Sequence, residues 1–189
     1  MLSLTRMTDC DACGSTVYLQ DGVFEAAGQR GEMHDTKMLF KLHDRIRIRD
    51  RSYLISGHVR YSYGRGWWDE FWAIEGNGNG VWISVDEGDV VLQKQISNSD
   101  IQMARPPFVV GQTIKAVNQD FLVTEASRAE CMAFRGEFPE ALRVGETYKF
   151  VNCSSSTGEL LSGEYGDGSS LWFLGGWIDP FEVRNENIQ

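Results

Sequence analysis

Short β-prone segments separated by glycine and asparagine turns constrain this chain more than any other feature of its sequence. Isoleucine alternates with arginine between residues 45 and 49. This is the period of two expected when one face of a strand is buried and the other is solvated. The run Gly76-Asn-Gly-Asn-Gly80 favours a hairpin connection, because asparagine and glycine tolerate positive φ. Helix signals are scarce, so the pattern predicts a mainly-β fold with few short helical turns.

The second half of the chain repeats the pattern of the first. Ile46 and Tyr53 match Ile114 and Phe121 at one constant spacing of 68 residues. Farther along, 81–83 matches 171–173 at a spacing of 90, and the difference indicates an insertion that includes Gly136–Pro139. The prediction is two related small β-barrel or curled-sheet halves packed together. Their expected bounds are 37–104 and 105–189, after a lead-in segment 1–36.

Composition and charge narrow the classes of partner. Hydrophobic residues make up 42% of the 189 residues, enough for a core, and 27 acidic against 18 basic side chains give a net charge of −9. This charge opposes nonspecific binding to nucleic acids and to anionic lipid surfaces. No segment approaches the ~20 apolar residues of a membrane span. The first residues lack the apolar centre of an export signal, so we expect a cytoplasmic protein with reduced thiols.

Several of these segments resemble one bacterial family. The aromatic strand 68–74, the asparagine-glycine turn and the strand 82–88 together resemble domain of unknown function 4178, over roughly residues 40 to 184. The segments 57–61 and 136–139 resemble two further elements of that family, and Phe71 stands where the family usually has tryptophan. The resemblance implies no established activity. It implies an association with bacterial envelope-stress and polyamine-related genes.

Cys10 and Cys13 are the candidate metal ligands. Two residues between thiolates allow both to bind one zinc ion, and Cys10-Asp-Ala-Cys13-Gly14 resembles the first knuckle of the zinc ribbon found in many relatives. The second Cys-x-x-Cys pair is absent. The other soft ligands are His34, His43, Cys131 and Cys153. Zinc held within one chain, zinc shared across a homodimer, and a vestigial or redox-capable pair without zinc all remain open, so the expected cofactor is none or zinc.

A dense group of aromatic residues lies at 67–72. Alternation sends Trp68 and Trp72 to one strand face, and Trp67 and Phe71 to the other. One set is expected to fill the core and the other to cover the seam between halves. An exposed remainder would be an interaction patch for sugars, bases or a peptide.

Glu70 is the one candidate catalytic residue. It lies between Trp68 and Trp72 on the same face, so burial would raise its pKa and suit it to general acid or base chemistry. The structural alternative is that Glu70 accepts hydrogen bonds from a turn or from an arginine such as Arg60. Asp69 points to the opposite face.

Four arginines form a basic row at alternate positions, Arg45, Arg47, Arg49 and Arg51. Such a row could hold a phosphate, an acidic partner or a lipid headgroup. The alternative is cross-strand pairing with Asp86, Glu87 and Asp89.

The sequence carries no signature of nucleophilic or metal-dependent hydrolysis. The leading hypothesis is a non-enzymatic module that docks on an unidentified protein partner. Its predicted binding surface consists of Trp67, Trp68, Trp72, Arg45, Arg47 and Arg49. The alternatives are a small-ligand binder or enzyme with a pocket around Glu70, and a zinc-dependent module through Cys10 and Cys13.

Overall fold

The structure is a computed structural model that describes residues 6–10, 13, 15–20, 23–28, 31–102, 105–166 and 168–187. The strands within these ranges are β1 Met7–Asp9, β2 Thr16–Gln20, β3 Val23–Gly28, β4 Arg45–Ile48, β5 Arg51–Ser62, β6 Trp67–Glu75, β7 Gly80–Asp86, β8 Asp89–Ile96, β9 Ile101–Gln102, β10 Thr113–Ala116, β11 Gln119–Gly136, β12 Thr147–Ser155, β13 Glu159–Gly166, β14 Ser169–Ile178 and β15 Val183–Asn185. Short 3₁₀ turns lie at Asn98–Asp100 and Pro180–Glu182. The prediction of a mainly-β fold with few helical turns is confirmed. The described residues contain no helix long and apolar enough to cross a membrane.

The strands form one small and one large sheet. β1, β2 and β3 make the small sheet, and the large sheet has the order β15-β4-β5-β6-β7-β8-β14-β13-β12-β11-β10-β9. β5 also pairs with the far end of β11, so that β5, β6, β7, β8, β14, β13, β12 and β11 close into an antiparallel ring. Closure satisfies backbone groups that would otherwise form two exposed sheet edges.

Each half contributes four consecutive strands to the ring and has a core of its own on the outer face. Ile46, Ile55, Phe71 and Ile83 lie in the core of the first half. Ile114, Phe121, Val123 and Leu161 lie in that of the second. A third core, around Trp72, Trp82 and Phe134, lies inside the ring between the halves. The ring strands are therefore packed on both faces.

The glycines in the turns show a different correspondence between the two halves from the 90-residue match made on sequence. Gly78 and Gly158 both have φ 87°, and Gly88 and Gly168 have φ 99° and 82°, so corresponding turns lie 80 residues apart. The 90-residue match is wrong, because it equates β7 with β14. In the strand order β7 follows β6 as β13 follows β12. The duplication itself stays a prediction.

The segment after β11 closes one end of the space between halves. Phe138 pairs with Met7 of β1, its backbone N–H donating to the Met7 carbonyl at 2.9 Å. Both side chains are fully buried, and Phe138 stacks on Trp82 with 6.1 Å between ring centroids. This packing leaves the rest of the interior as an open cavity.

Candidate ligand-binding cavity

A cavity of about 500 Å³ lies inside the ring, between the two halves. Its volume falls in the usual range of small-molecule sites, roughly 300–1,000 Å³. Strand alternation determines its lining. In β6, Trp68 and Glu70 face the cavity while Asp69 and Phe71 face outward, and in β13 Ser162 faces the cavity. Both halves contribute to the wall.

Aromatic rings form much of the wall around Trp68. The Trp68 ring lies 5.4 Å from Tyr61, 5.4 Å from Phe150 and 6.0 Å from Tyr63. The Tyr61 ring lies 5.8 Å from Tyr148. Trp68 and Phe150 belong to different halves, so their contact crosses the seam. These rings give the cavity an apolar, polarisable surface.

Glu70 lies in this cavity, and its hydrogen bonds come from neutral groups. The Trp68 indole Nε1–H donates to Glu70 Oε1 at 2.8 Å, and the Ser84 hydroxyl donates to the same oxygen at 3.4 Å. Burial raises the pKa of Glu70 above its ordinary value, against the effect of these two donors. The expectation that Arg60 would pair with Glu70 is wrong.

Arg60 pairs instead with Asp69, which is its direct cross-strand neighbour on the outer face. Arg60 Nε and Nη2 donate to the two Asp69 carboxylate oxygens at 2.8 and 3.1 Å, and His58 Nε2 lies 2.7 Å from Asp69 Oδ1. Burial opposes ionisation, but hydrogen bonds from His58 and Arg60 hold the pKa of Asp69 below its ordinary value. These three side chains form a buried hydrogen-bonded network. Arg60 also donates to the His34 carbonyl and to Thr36, anchoring the segment before β4.

Two further carboxyl groups, Glu140 and Glu164, face the same cavity and were missed by sequence reasoning. Burial, with added repulsion from Glu70, raises the pKa of Glu140 to about 7. Burial and the nearby Glu140 and Glu70 raise the pKa of Glu164 well above its ordinary value. Each acid keeps part of its surface open to the cavity although it lies deep in the protein. In the described part of the chain, neither side-chain carboxyl group accepts a hydrogen bond or forms an ion pair.

Exposed carboxylates continue the acidic lining toward solvent. Asp86, Asp89 and Glu125 line the cavity and are exposed. Partial burial, together with the charges of Glu87, Asp89 and Glu125, raises the pKa of Asp86. No lysine, arginine or histidine is among the described residues that line the cavity. The described lining therefore carries acidic groups and no basic ones from its solvent-facing side inward.

The remaining aromatic candidates do not form one surface. Trp67 is 52% exposed on the outer face, with the Arg60 guanidinium 5.7 Å from its ring centroid. Trp72 is buried inside the ring against Trp82, with 5.2 Å between centroids. Trp68 lines the cavity. The structure thus separates Trp67 from the other two.

The arginine row pairs with acids other than those expected. Arg47 contacts Glu186 at 2.9 Å and Arg49 contacts Glu182 at 3.0 Å, since the neighbour of β4 is β15 and not β8. The proposed pairing with Asp86, Glu87 and Asp89 is wrong for this reason. Arg51 lies on the next strand, 2.9 Å from Glu75, and Arg45 is exposed on β4.

The two amino-terminal thiols lie beside β1 and β2. Cys10 is half-buried and its backbone N–H donates to the Ser15 carbonyl at 2.8 Å, while Cys13 is exposed. Hydrogen bonds from Ser15 and Cys10 lower the pKa of the Cys13 thiol. Cys131 and Cys153 are buried in two different cores. Among the described residues, no group of three cysteine, histidine or acidic side chains could hold a metal ion.

Fold and cavity together define a closed antiparallel β-ring with an internal, aromatic and acidic ligand-sized site. The family model described as domain of unknown function (DUF4178) matches residues 41–180, and the chain belongs to that family. The search of curated proteins found no match, and neither did the search of solved structures. The chemistry of the cavity is therefore the main indication of what this protein does.

Proposed function

We propose that this protein is a non-catalytic binder of a small organic cation, which it holds in the cavity between its halves. The observation that carries the proposal is the set of three inward carboxyl groups, Glu70, Glu140 and Glu164, lining one cavity without a basic side chain beside them. A buried carboxylate without compensation is costly, so such groups are either protonated or paired with a cation. A positively charged ligand supplies the missing partner.

The aromatic wall supports the same ligand chemistry. Tyr61, Trp68, Tyr148 and Phe150 present ring faces and edges to the cavity. An ammonium group over such a ring gains about 0.5–2 kcal/mol from cation–π attraction, with the larger values where water is excluded. The rings also cover the hydrocarbon part of an organic amine. Carboxylates and aromatic rings together favour an amine over a fully hydrated inorganic ion.

We expect this cavity to bind a ligand and not to turn it over. His58, the histidine paired with a carboxylate, lies on the outer face of β5, away from the cavity. The Ser84 hydroxyl donates to Glu70 at 3.4 Å, and the described lining residues include no histidine or lysine that could activate it. A nucleophile needs an adjacent base that can accept its proton at neutral pH. An ammonium group beside these carboxyl groups would favour their ionised form and so lower pKa values that burial has raised.

Isothermal titration calorimetry tests the proposal with probes of one length and different charge. We expect n-butylamine or 1,4-diaminobutane to bind at pH 8, and n-butanol and butyrate to show no binding. Glu164→Gln should weaken amine binding, because it removes a cavity charge and keeps the side-chain shape. Glu130→Gln, an exposed change on β11, is the matched control. Failure of both amines to bind, or equal binding of butanol, would refute the proposal.

The protein-interaction hypothesis remains a prediction, together with its placement in envelope-stress or polyamine-related systems. Its support is limited to large exposed side chains such as Trp177 and Phe181, which are 55% and 93% exposed. The zinc hypothesis also remains a prediction. Elemental analysis of purified, reduced protein is the measurement that decides it.

A further inference from the structure

We infer that the ligand is a linear diamine or longer polyamine whose ammonium groups pair with carboxylates on opposite walls of the ring. The inference rests on the proposed cation-binding function and specifies the number and arrangement of the ligand's charges. Its basis is the placement of Glu70 and Glu164. In the ring order, three strands separate β6 from β13 in either direction, so these strands face each other across the interior.

The two acids lie in corresponding hairpins of the two halves. Glu70 is on the first strand of its hairpin, β6, and Glu164 is on the second strand of its hairpin, β13. Glu70 on β6 is the cross-strand partner of Ser84 on β7. Phe150 on β12 is the cross-strand partner of Glu164 on β13. Since β6 and β7 correspond in strand order to β12 and β13, each half places one carboxyl group in an equivalent cross-strand pair. The result is one buried acid on each wall.

Apolar surface connects the two acids. Glu70 accepts a hydrogen bond from Trp68, the Trp68 ring lies 5.4 Å from Phe150, and Phe150 is paired with Glu164. A hydrocarbon linker between two ammonium groups would lie along these rings. Directly opposed residues on adjacent strands have Cβ atoms about 5 Å apart, so the Phe150 ring starts close to Glu164.

The three acids are not arranged as a single metal site. Within the described chain, no three acidic, histidine or cysteine side chains are close enough to share a metal ion. Repulsion from Glu70 contributes, after burial, to the raised pKa of Glu140, and repulsion from Glu140 and Glu70 contributes likewise to the raised pKa of Glu164. Acids that face one cavity from opposed strands, Glu70 on β6 and Glu164 on β13, match a ligand with several charges along its length. Glu140 then provides a third acceptor.

Calorimetry at pH 8 separates this inference from the function on which it rests. We expect 1,4-diaminobutane to bind at least about tenfold more tightly than n-butylamine, since each additional charge-assisted hydrogen bond contributes roughly 1.5–3 kcal/mol and 1.4 kcal/mol is tenfold. Glu70→Gln and Glu164→Gln should each reduce diamine affinity to the level of the monoamine. Glu130→Gln should leave both affinities unchanged. Urea denaturation of each variant verifies that it is folded.

The outcomes are distinct. Equal affinity for diamine and monoamine would overturn the two-site inference and leave cation binding intact. Loss of diamine affinity in only one of the two glutamine variants would also overturn it, because one wall would then suffice. If neither amine binds the folded wild-type protein, the proposed function fails, and the inference fails with it.

Discussion

Replacement of Glu140 by glutamine should stabilise the ligand-free protein at alkaline pH. Burial and the nearby Glu70 raise the pKa of Glu140 from an ordinary 4.5 to about 7. The folded state therefore holds this proton more tightly than the unfolded state does. The contribution of the Glu140 proton to the free energy of unfolding is complete below pH 4.5. It is lost as the pH rises through about 7. At about 1.4 kcal/mol for each tenfold change in the proton equilibrium, ionising Glu140 in the folded protein costs about 3 kcal/mol.

Urea denaturation of Glu140→Gln and wild type between pH 4 and 9 measures this cost. We expect nearly equal free energies of unfolding at pH 4, and an advantage of up to about 3 kcal/mol for the variant at pH 8.5. Glu130→Gln, which removes an exposed carboxylate from β11, should show no comparable pH-dependent gain. A constant difference between Glu140→Gln and wild type across the pH range would refute the reasoning, because it would arise from packing and not from ionisation. Destabilisation at pH 8.5 would refute it equally.

Two further predictions concern packing and thiol reactivity. A Cβ on Gly80 would overlap the Trp72 ring, so Gly80→Ala should lower the free energy of unfolding in urea by roughly 1–3 kcal/mol. A Cβ on Gly76 would have no atom closer than 4.0 Å, so Gly76→Ala should change that free energy by less than about 0.5 kcal/mol. Equal effects of the two substitutions would contradict the overlap. Iodoacetamide at pH 7.5 should alkylate Cys13 in the native protein, because this thiol is exposed and its pKa is lowered. It should spare Cys131, because burial raises the pKa of that thiol to about 12. Peptide mass spectrometry measures both rates, and equal labelling would contradict this assignment.

Local patterns in the sequence were sufficient to predict the class of fold and two residues of the cavity wall. Alternation and the Asn-Gly turn predicted strands β6 and β7, with Trp68 and Glu70 on one face. The burial that raises the pKa of Glu70 follows from its position between two tryptophans. These features depend on neighbours in sequence, and strand geometry alone determines which way they point.

Pairing between distant segments could not be predicted in the same way. The sequence does not reveal that β11 extends far enough to pair with β5, or that β4 meets β15 and not β8. The alignment that equated Trp82 with Trp172 failed because ring strands are packed on both faces. Trp82 lies in the central core and Trp172 in the core of the second half, so two similar hydrophobic runs point in opposite directions. Hydrophobicity marks a face as buried but does not identify which core it enters.

The closed ring explains how this protein can hold three acids in its interior at all. The outer core of each half buries apolar residues on the far side of the same strands, and the packed end around Phe138 buries others inside the ring. The part of the inner face that lines the cavity therefore need not supply all of the stabilisation. Uncompensated buried carboxyl groups lower stability at neutral pH. A ligand that pairs with them binds the folded state alone, and it stabilises that state by an amount that rises with the logarithm of its affinity. A cationic ligand should therefore raise the melting temperature most at alkaline pH, where the acids are ionised, and least near pH 4.5, where Glu140 carries its own proton.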